Sequence, residues 1–124
     1  MTSPESSAVR TGQSPPTDLV VALRRAGVGD VSDTTLDRAL YSSDASLYRV
    51  VPMVVVRPRD IDEVAATVET CRAVGVPLTC RGAGTSIAGN AIGTGIVLDF
   101  SRYLNRVENV DSASRQATVQ PGVV

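Results

Sequence analysis

The chain has 124 residues, a net charge of −1, 43% hydrophobic residues and 20% charged residues, the composition of a soluble globular protein with room for one modest core. The near-neutral charge gives no electrostatic footing on nucleic acid or an anionic membrane surface. All 12 basic residues are arginine and histidine is absent, which removes the commonest general base and the commonest metal ligand.

Residues 1–16 are rich in Ser, Thr, Pro and Gly and end in Pro15-Pro16. Nothing in them can offset the entropy of ordering, so they read as a disordered tail. Residues 17–50 read as a helical segment followed by a loop. Thr17-Asp18 can cap a first helix that runs to Ala26, with Leu19, Val20 and Leu23 on one face and Gly27 at its end. Ser32 to Leu40 reads as a second short helix or turn. Tyr41 to Tyr48 has no clear period and reads as an ordered loop packed by Tyr41, Asp44 and Tyr48.

Residues 51–124 read as the main domain. Met53 to Val56 is a β-branched run between prolines and predicts a buried strand. Asp60 with Glu63 has capping-box spacing and opens the clearest helix. Ile61, Val64, Ala65, Val68 and Cys71 share one face of it, so Ile61, Val64 and Val68 are expected to anchor it on a sheet. Gly75 stops the helix and Pro77 forbids resumption. Leu78 to Cys80 is the next strand, and a strand–helix–strand unit of this kind predicts parallel strands. Ile96 to Phe100 is a third strand. Arg106 to Val110 and Arg115 to Gln120 form a pair joined by the polar turn Asp111 to Ser114. Asp99 and Asp111 are expected as turn and surface residues. Cys71 and Cys80 are too few for a disulfide framework and lack metal-site spacing; both are expected as small buried residues. No apolar run approaches the ~20 residues needed to span a bilayer, and the N-terminus has no signal-peptide core, so a cytoplasmic protein is expected.

The chemistry concentrates between Pro77 and Gly95. A strand leads into Arg81, and then Gly82, Gly84 and Gly89 alternate with Ala83, Thr85 and Ser86. Glycine backbone can approach a ligand closely, and consecutive N–H groups can form a nest for an anion such as phosphate. The dinucleotide fingerprint Gly-x-Gly-x-x-Gly fails because Ile87 stands at the third glycine. The Walker loop fails because Asn90-Ala91 follow Gly89 and the chain has no lysine. Glycine content alone leaves an irregular connection equally open; Arg81 and the two hydroxyls favour a bound phosphate.

Taken together, Val54 to Val64, Gly75 to Leu78, Arg81 to Gly89, Val97 to Ser101, Leu104 to Arg106 and Val119 to Val123 resemble the FAD-linked oxidase family with its vanillyl-alcohol-oxidase or PCMH-type flavin domain. The resemblance runs from Tyr41 to the last residue, and Tyr41 to Tyr48 is most similar to the glycolate oxidase and D-lactate dehydrogenase branch. It implies an α+β fold: a small α/β subdomain with a strand–helix–strand unit, and then the first strands of a second subdomain. It implies FAD as cofactor. By the same resemblance, Arg81, Gly82, Ala83, Gly84, Thr85, Ser86 and Gly89 wrap the FAD pyrophosphate and Asn90 continues that wall. Pro121 and Gly122 form a second strip near the flavin, and Pro58 lies towards the adenine.

Family members that attach FAD through histidine carry it where Thr85 stands, so the expected FAD is non-covalent. The chain ends where the family begins its next helix, and the expectation is an N-terminal fragment with cofactor-binding residues and no catalytic or metal-binding residue. The expected function is the FAD-binding segment of an enzyme that oxidises a 2-hydroxy acid to a 2-oxo acid. Its expected partners are FAD and, in the full enzyme, that acid; an unpaired sheet edge offers a route to association. The alternative is a nucleotide-binding or interaction module without turnover.

Overall fold

The computed structural model of the chain describes residues 16–124. The predicted tail lies outside them except for Pro16, which opens helix α1 (Pro16–Arg25). Proline suits that position because its missing N–H would find no helical partner there. Leu19 and Leu23 are buried in the core. Gly27 has φ +96°, and the helix closes with Val28 N–H returning to the Leu23 carbonyl at 3.1 Å.

Strand β1 (Val31–Ser32) and helix α2 (Thr35–Leu40) divide the segment expected as one helix or turn. Thr34 caps α2 by accepting the Asp37 N–H. The next elements are β2 (Val54–Val56), α3 (Ile61–Val74), β3 (Leu78–Arg81) and β4 (Ile96–Asp99). They form a four-stranded sheet in the order β1-β2-β4-β3. β2 and β3 both run parallel to β4, while β1 is antiparallel at the edge. The expected strand–helix–strand unit is present, with β4 inserted between its strands. Every residue of β2 and β4 is buried, and burial of each Val or Ile there contributes roughly 1.5–3 kcal/mol.

Helix α3 starts and stops as expected, but its inward face is rotated from the expected one: Val64 and Cys71 face the core as expected, while Ile61, Ala65 and Val68 do not. Asp60 accepts the Glu63 N–H at 2.9 Å. Glu63 reaches back to the Arg59 N–H at 3.0 Å, one residue before the cap. Gly75 closes the helix in the left-handed conformation. The buried residues are Glu63, Thr67, Thr70 and Cys71, with Val64 packed against the core. Ile61 is 79% exposed and Val68 46% exposed, so they do not anchor the helix. The polar residues can be buried because their polar atoms have partners. Thr67 donates to the Glu63 carbonyl at 2.7 Å and Thr70 to the Ala66 carbonyl at 2.8 Å. Glu63 also accepts the Gly29 N–H at 3.3 Å and holds the Arg59 guanidinium.

A separate antiparallel pair, β5 (Val107–Asp111) and β6 (Gln116–Val119), follows. It is exposed along its whole length. Gly122 ties the end of the chain back, donating to the Leu104 carbonyl at 2.8 Å.

Candidate functional site

Parallel pairing brings the carboxyl ends of β2, β3 and β4 to one edge of the sheet, where open α/β sheets bind ligands. Arg57, Arg81 and Asp99 sit there, with Arg81 opposite Asp99 in register. Asp30 reaches the same edge through β1; its carbonyl accepts the Arg57 N–H at 3.0 Å. The Arg57 guanidinium is buried and bridges Asp30 at 3.1 Å and Asp37 at 2.7 Å. Its Nε donates to the Tyr41 hydroxyl at 3.2 Å, and Tyr41 donates to Asp99 Oδ2 at 2.5 Å. Asp99 Oδ1 accepts from the Ser101 N–H and hydroxyl. The expectation that Asp99 is a turn and surface residue is therefore corrected: it is a buried, fully bonded carboxylate.

These contacts set the protonation states. Burial, and then the bond to Asp99, push the Tyr41 phenol above its usual range. Burial works against the charge on Arg57, but the bond to Tyr41 and the carboxylates of Asp37 and Asp30 raise its pKa further above neutrality. The nearby Ser32 hydroxyl, and then the Arg57 charge, hold Asp37 low against the opposing effect of burial.

The glycine loop leaves this edge directly from β3. Gly84 has φ +70° and Gly89 φ +81°, a region that a side chain makes costly. Ser86 Oγ accepts the N–H groups of Ala88 at 3.3 Å and Asn90 at 3.1 Å, and the loop closes with Ala91 N–H on Asp44 Oδ2 at 3.3 Å. Among the described residues, no protein acceptor takes the N–H groups of Ala83, Gly84, Thr85, Ser86 or Ile87. This run of unspent donors suits a polyanion such as a pyrophosphate.

The loop is braced by the Tyr41–Tyr48 segment. Ala45 N–H donates to the Gly84 carbonyl at 3.1 Å. A Cβ at Gly89 would lie 3.0 Å from the Tyr48 ring. The Ser46 hydroxyl and the N–H groups of Ser46 and Ala91 hold the Asp44 carboxyl below its usual range. The Arg81 guanidinium is already engaged. It donates to the Ser43 carbonyl at 2.8 Å and the Ala91 carbonyl at 3.4 Å, and lies 5.1 Å from the centre of the Tyr41 ring.

The residues singled out from sequence fall into three positions. Arg81, Gly82, Ala83, Gly84, Thr85, Ser86, Gly89 and Asn90 are together in the loop. Pro121 lies alongside, since a Cβ at Gly82 would be 3.7 Å from its carbonyl oxygen. Gly122 is buried where a Cβ would strike the Phe100 and Leu104 carbonyls. Pro58 is fully buried, while its neighbours Arg59 and Asp60 line a groove of about 570 Å³ between α3 and β6. Cys71 is buried as expected, but Cys80 is exposed, because the flanking strand β3 is only partly covered. Sequence reading missed Arg57, Asp30 and Asp37. A charged Arg directly after an apolar strand was the available signal.

Residues 52–124 match the family described as "FAD binding domain". Glycolate oxidase subunit GlcD of Bacillus subtilis (strain 168) is 36% identical over 101 residues, covering 79% of this chain and 21% of that protein. D-2-hydroxyglutarate dehydrogenase of Pseudomonas putida is 34% identical over 111 residues, covering 86% of this chain and 11% of that protein. Among solved structures, xylooligosaccharide oxidase from Myceliophthora thermophila C1 in complex with xylobiose superposes with a TM-score of 0.68 at 25% identity, over 85% of this chain and 23% of that one. The chain thus spans between 11% and 23% of the length of these proteins.

Proposed function

The chain belongs to the FAD binding domain family, as a small mixed α/β subdomain matching the N-terminal part of a PCMH-type domain with FAD as its cofactor, and we propose that it holds non-covalent FAD in an enzyme that oxidises a 2-hydroxy acid. The observation that carries this reading is the run of unspent N–H donors from Ala83 to Ile87 at the carboxyl edge of the sheet. In the proposal those donors hold the pyrophosphate, with Gly82, Gly84 and Gly89 allowing close approach. Asn90 and the Pro121–Gly122 strip continue the wall, and Pro58 lies towards the adenine. Thr85 stands where a histidine would be needed for covalent attachment, so acid releases the flavin.

Held by these residues, FAD would supply the acceptor for the substrate's C–H hydride, and loss of the hydroxyl proton to a base would complete the 2-oxo acid. This chain's own residues bind and orient the cofactor. The 2-hydroxy-acid class is supported by the glycolate oxidase subunit and D-2-hydroxyglutarate dehydrogenase relatives, and a cytoplasmic setting belongs to the same reading. Adding glycolate, D-lactate or D-2-hydroxyglutarate anaerobically to the FAD-loaded whole protein that carries this chain tests it. Bleaching of the flavin by one of these acids and not by xylobiose is expected; bleaching by the carbohydrate alone would overturn the substrate class.

A second reading, a module without turnover that associates through a sheet edge, is favoured by exposed Val107, Val110 and Val119 on the β5–β6 pair. Sedimentation of the chain at rising concentration distinguishes it through a concentration-dependent increase in mass.

A further inference from the structure

Arg81 was expected to offer its charge to the phosphate, yet its guanidinium is occupied within the protein. Its Nη1 bonds both the Ser43 carbonyl of the bracing segment and the Ala91 carbonyl at the loop's end, and the guanidinium lies over the Tyr41 ring at 5.1 Å, within range of a cation–π contact. The ring is itself fixed: its hydroxyl donates to Asp99 and accepts from Arg57, whose guanidinium carbon lies 5.2 Å from the ring centre. Gly84 passes so close to Arg81 that an added Cβ would overlap the guanidinium.

We propose that Arg81 is a positioning residue, a splint seated on Tyr41 that holds the glycine loop open so that its N–H groups converge. Recognition of the anion then belongs to the backbone donors, and Arg81 acts through them. A lysine does not replace it, because a compact ammonium could bond the two carbonyls from one nitrogen, as Nη1 does, but lacks the planar group that lies over the Tyr41 ring and backs Gly84. The inference rests on the FAD reading for its ligand and on the unliganded loop for its geometry, so the test has an arm for each.

The full chain is prepared as wild type, Arg81→Lys, Tyr41→Leu and the double variant, and FAD binding is titrated at low and high salt. Each single variant is expected to weaken binding by about tenfold. The double variant should be no weaker than either single one, because both remove the same device. The salt dependence should stay as in wild type. Rescue by lysine, additive losses, or a flattened salt dependence in Arg81→Lys/Tyr41→Leu would overturn the splint.

The second arm needs no cofactor. Amide hydrogen exchange should accelerate in both single variants at Ala88, Asn90 and Ala91, while the β4 amides keep their protection. Unchanged exchange in the loop would refute the splint even if FAD bound normally. Faster loop exchange together with no FAD binding by wild type would sustain the splint and refute the FAD reading. Loss of β4 protection in Tyr41→Leu would mark a folding defect, and Arg81→Lys then decides alone.

Discussion

Tyr41 joins partners that lie far apart in the chain, accepting from Arg57 and donating to Asp99 across 58 residues. Tyr41→Phe keeps the ring but leaves Asp99 Oδ2 without its donor, and should lower the unfolding free energy by about 1–3 kcal/mol in urea melts. No local pattern could have announced this pair; only the parallel pairing of β4 with β2 brings Asp99 to the edge where Arg57 and the end of α2 meet. Asp37 offers a pH test. Its carboxyl is held low in the folded state by Ser32 and the Arg57 charge. A depressed pKa contributes stability above the unfolded value and loses it as pH falls through the folded value. Unfolding measured below about pH 4 should therefore show an acid-dependent loss in wild type that is smaller in Asp37→Asn.

At the scale of the element, α3 separates what a pattern can and cannot tell. Its ends were legible because capping depends on neighbours in sequence: Asp60 and Gly75 do what their positions predict. Its buried face was legible only in Val64 and Cys71, because burial of Glu63, Thr67 and Thr70 depends on bonds to Gly29, Arg59 and the helix's own carbonyls. An apolar period counts those residues as polar and points to Ile61 instead. Asp60→Ala should cost about 1 kcal/mol through the lost cap. Ile61→Ala should change stability by no more than about 0.5 kcal/mol, and a loss of about 2–5 kcal/mol would mean that Ile61 is core after all. Chemical denaturation of both variants checks the pair. β1 escaped notice for a related reason: a two-residue edge strand leaves no period to read.

Across the whole molecule, the order β1-β2-β4-β3 gathers one end of each parallel strand beneath the glycine loop. The loop and the strand–helix–strand unit could be read in the sequence because short spacings define them, whereas the Pro121–Gly122 strip came only with the family resemblance. The placement of β4 between β2 and β3, and the polar network under the loop, are products of tertiary pairing and carry no short-range mark. What the molecule offers at that edge is a set of backbone donors awaiting an anion, and the family to which it belongs identifies the ligand as FAD. Titration of the purified chain with FAD, followed by flavin fluorescence and then acid precipitation, tests this most directly. The account predicts saturable binding to a folded chain and yellow colour released into the supernatant; a folded chain that leaves the fluorescence unchanged, or colour that stays with the pellet, would contradict it.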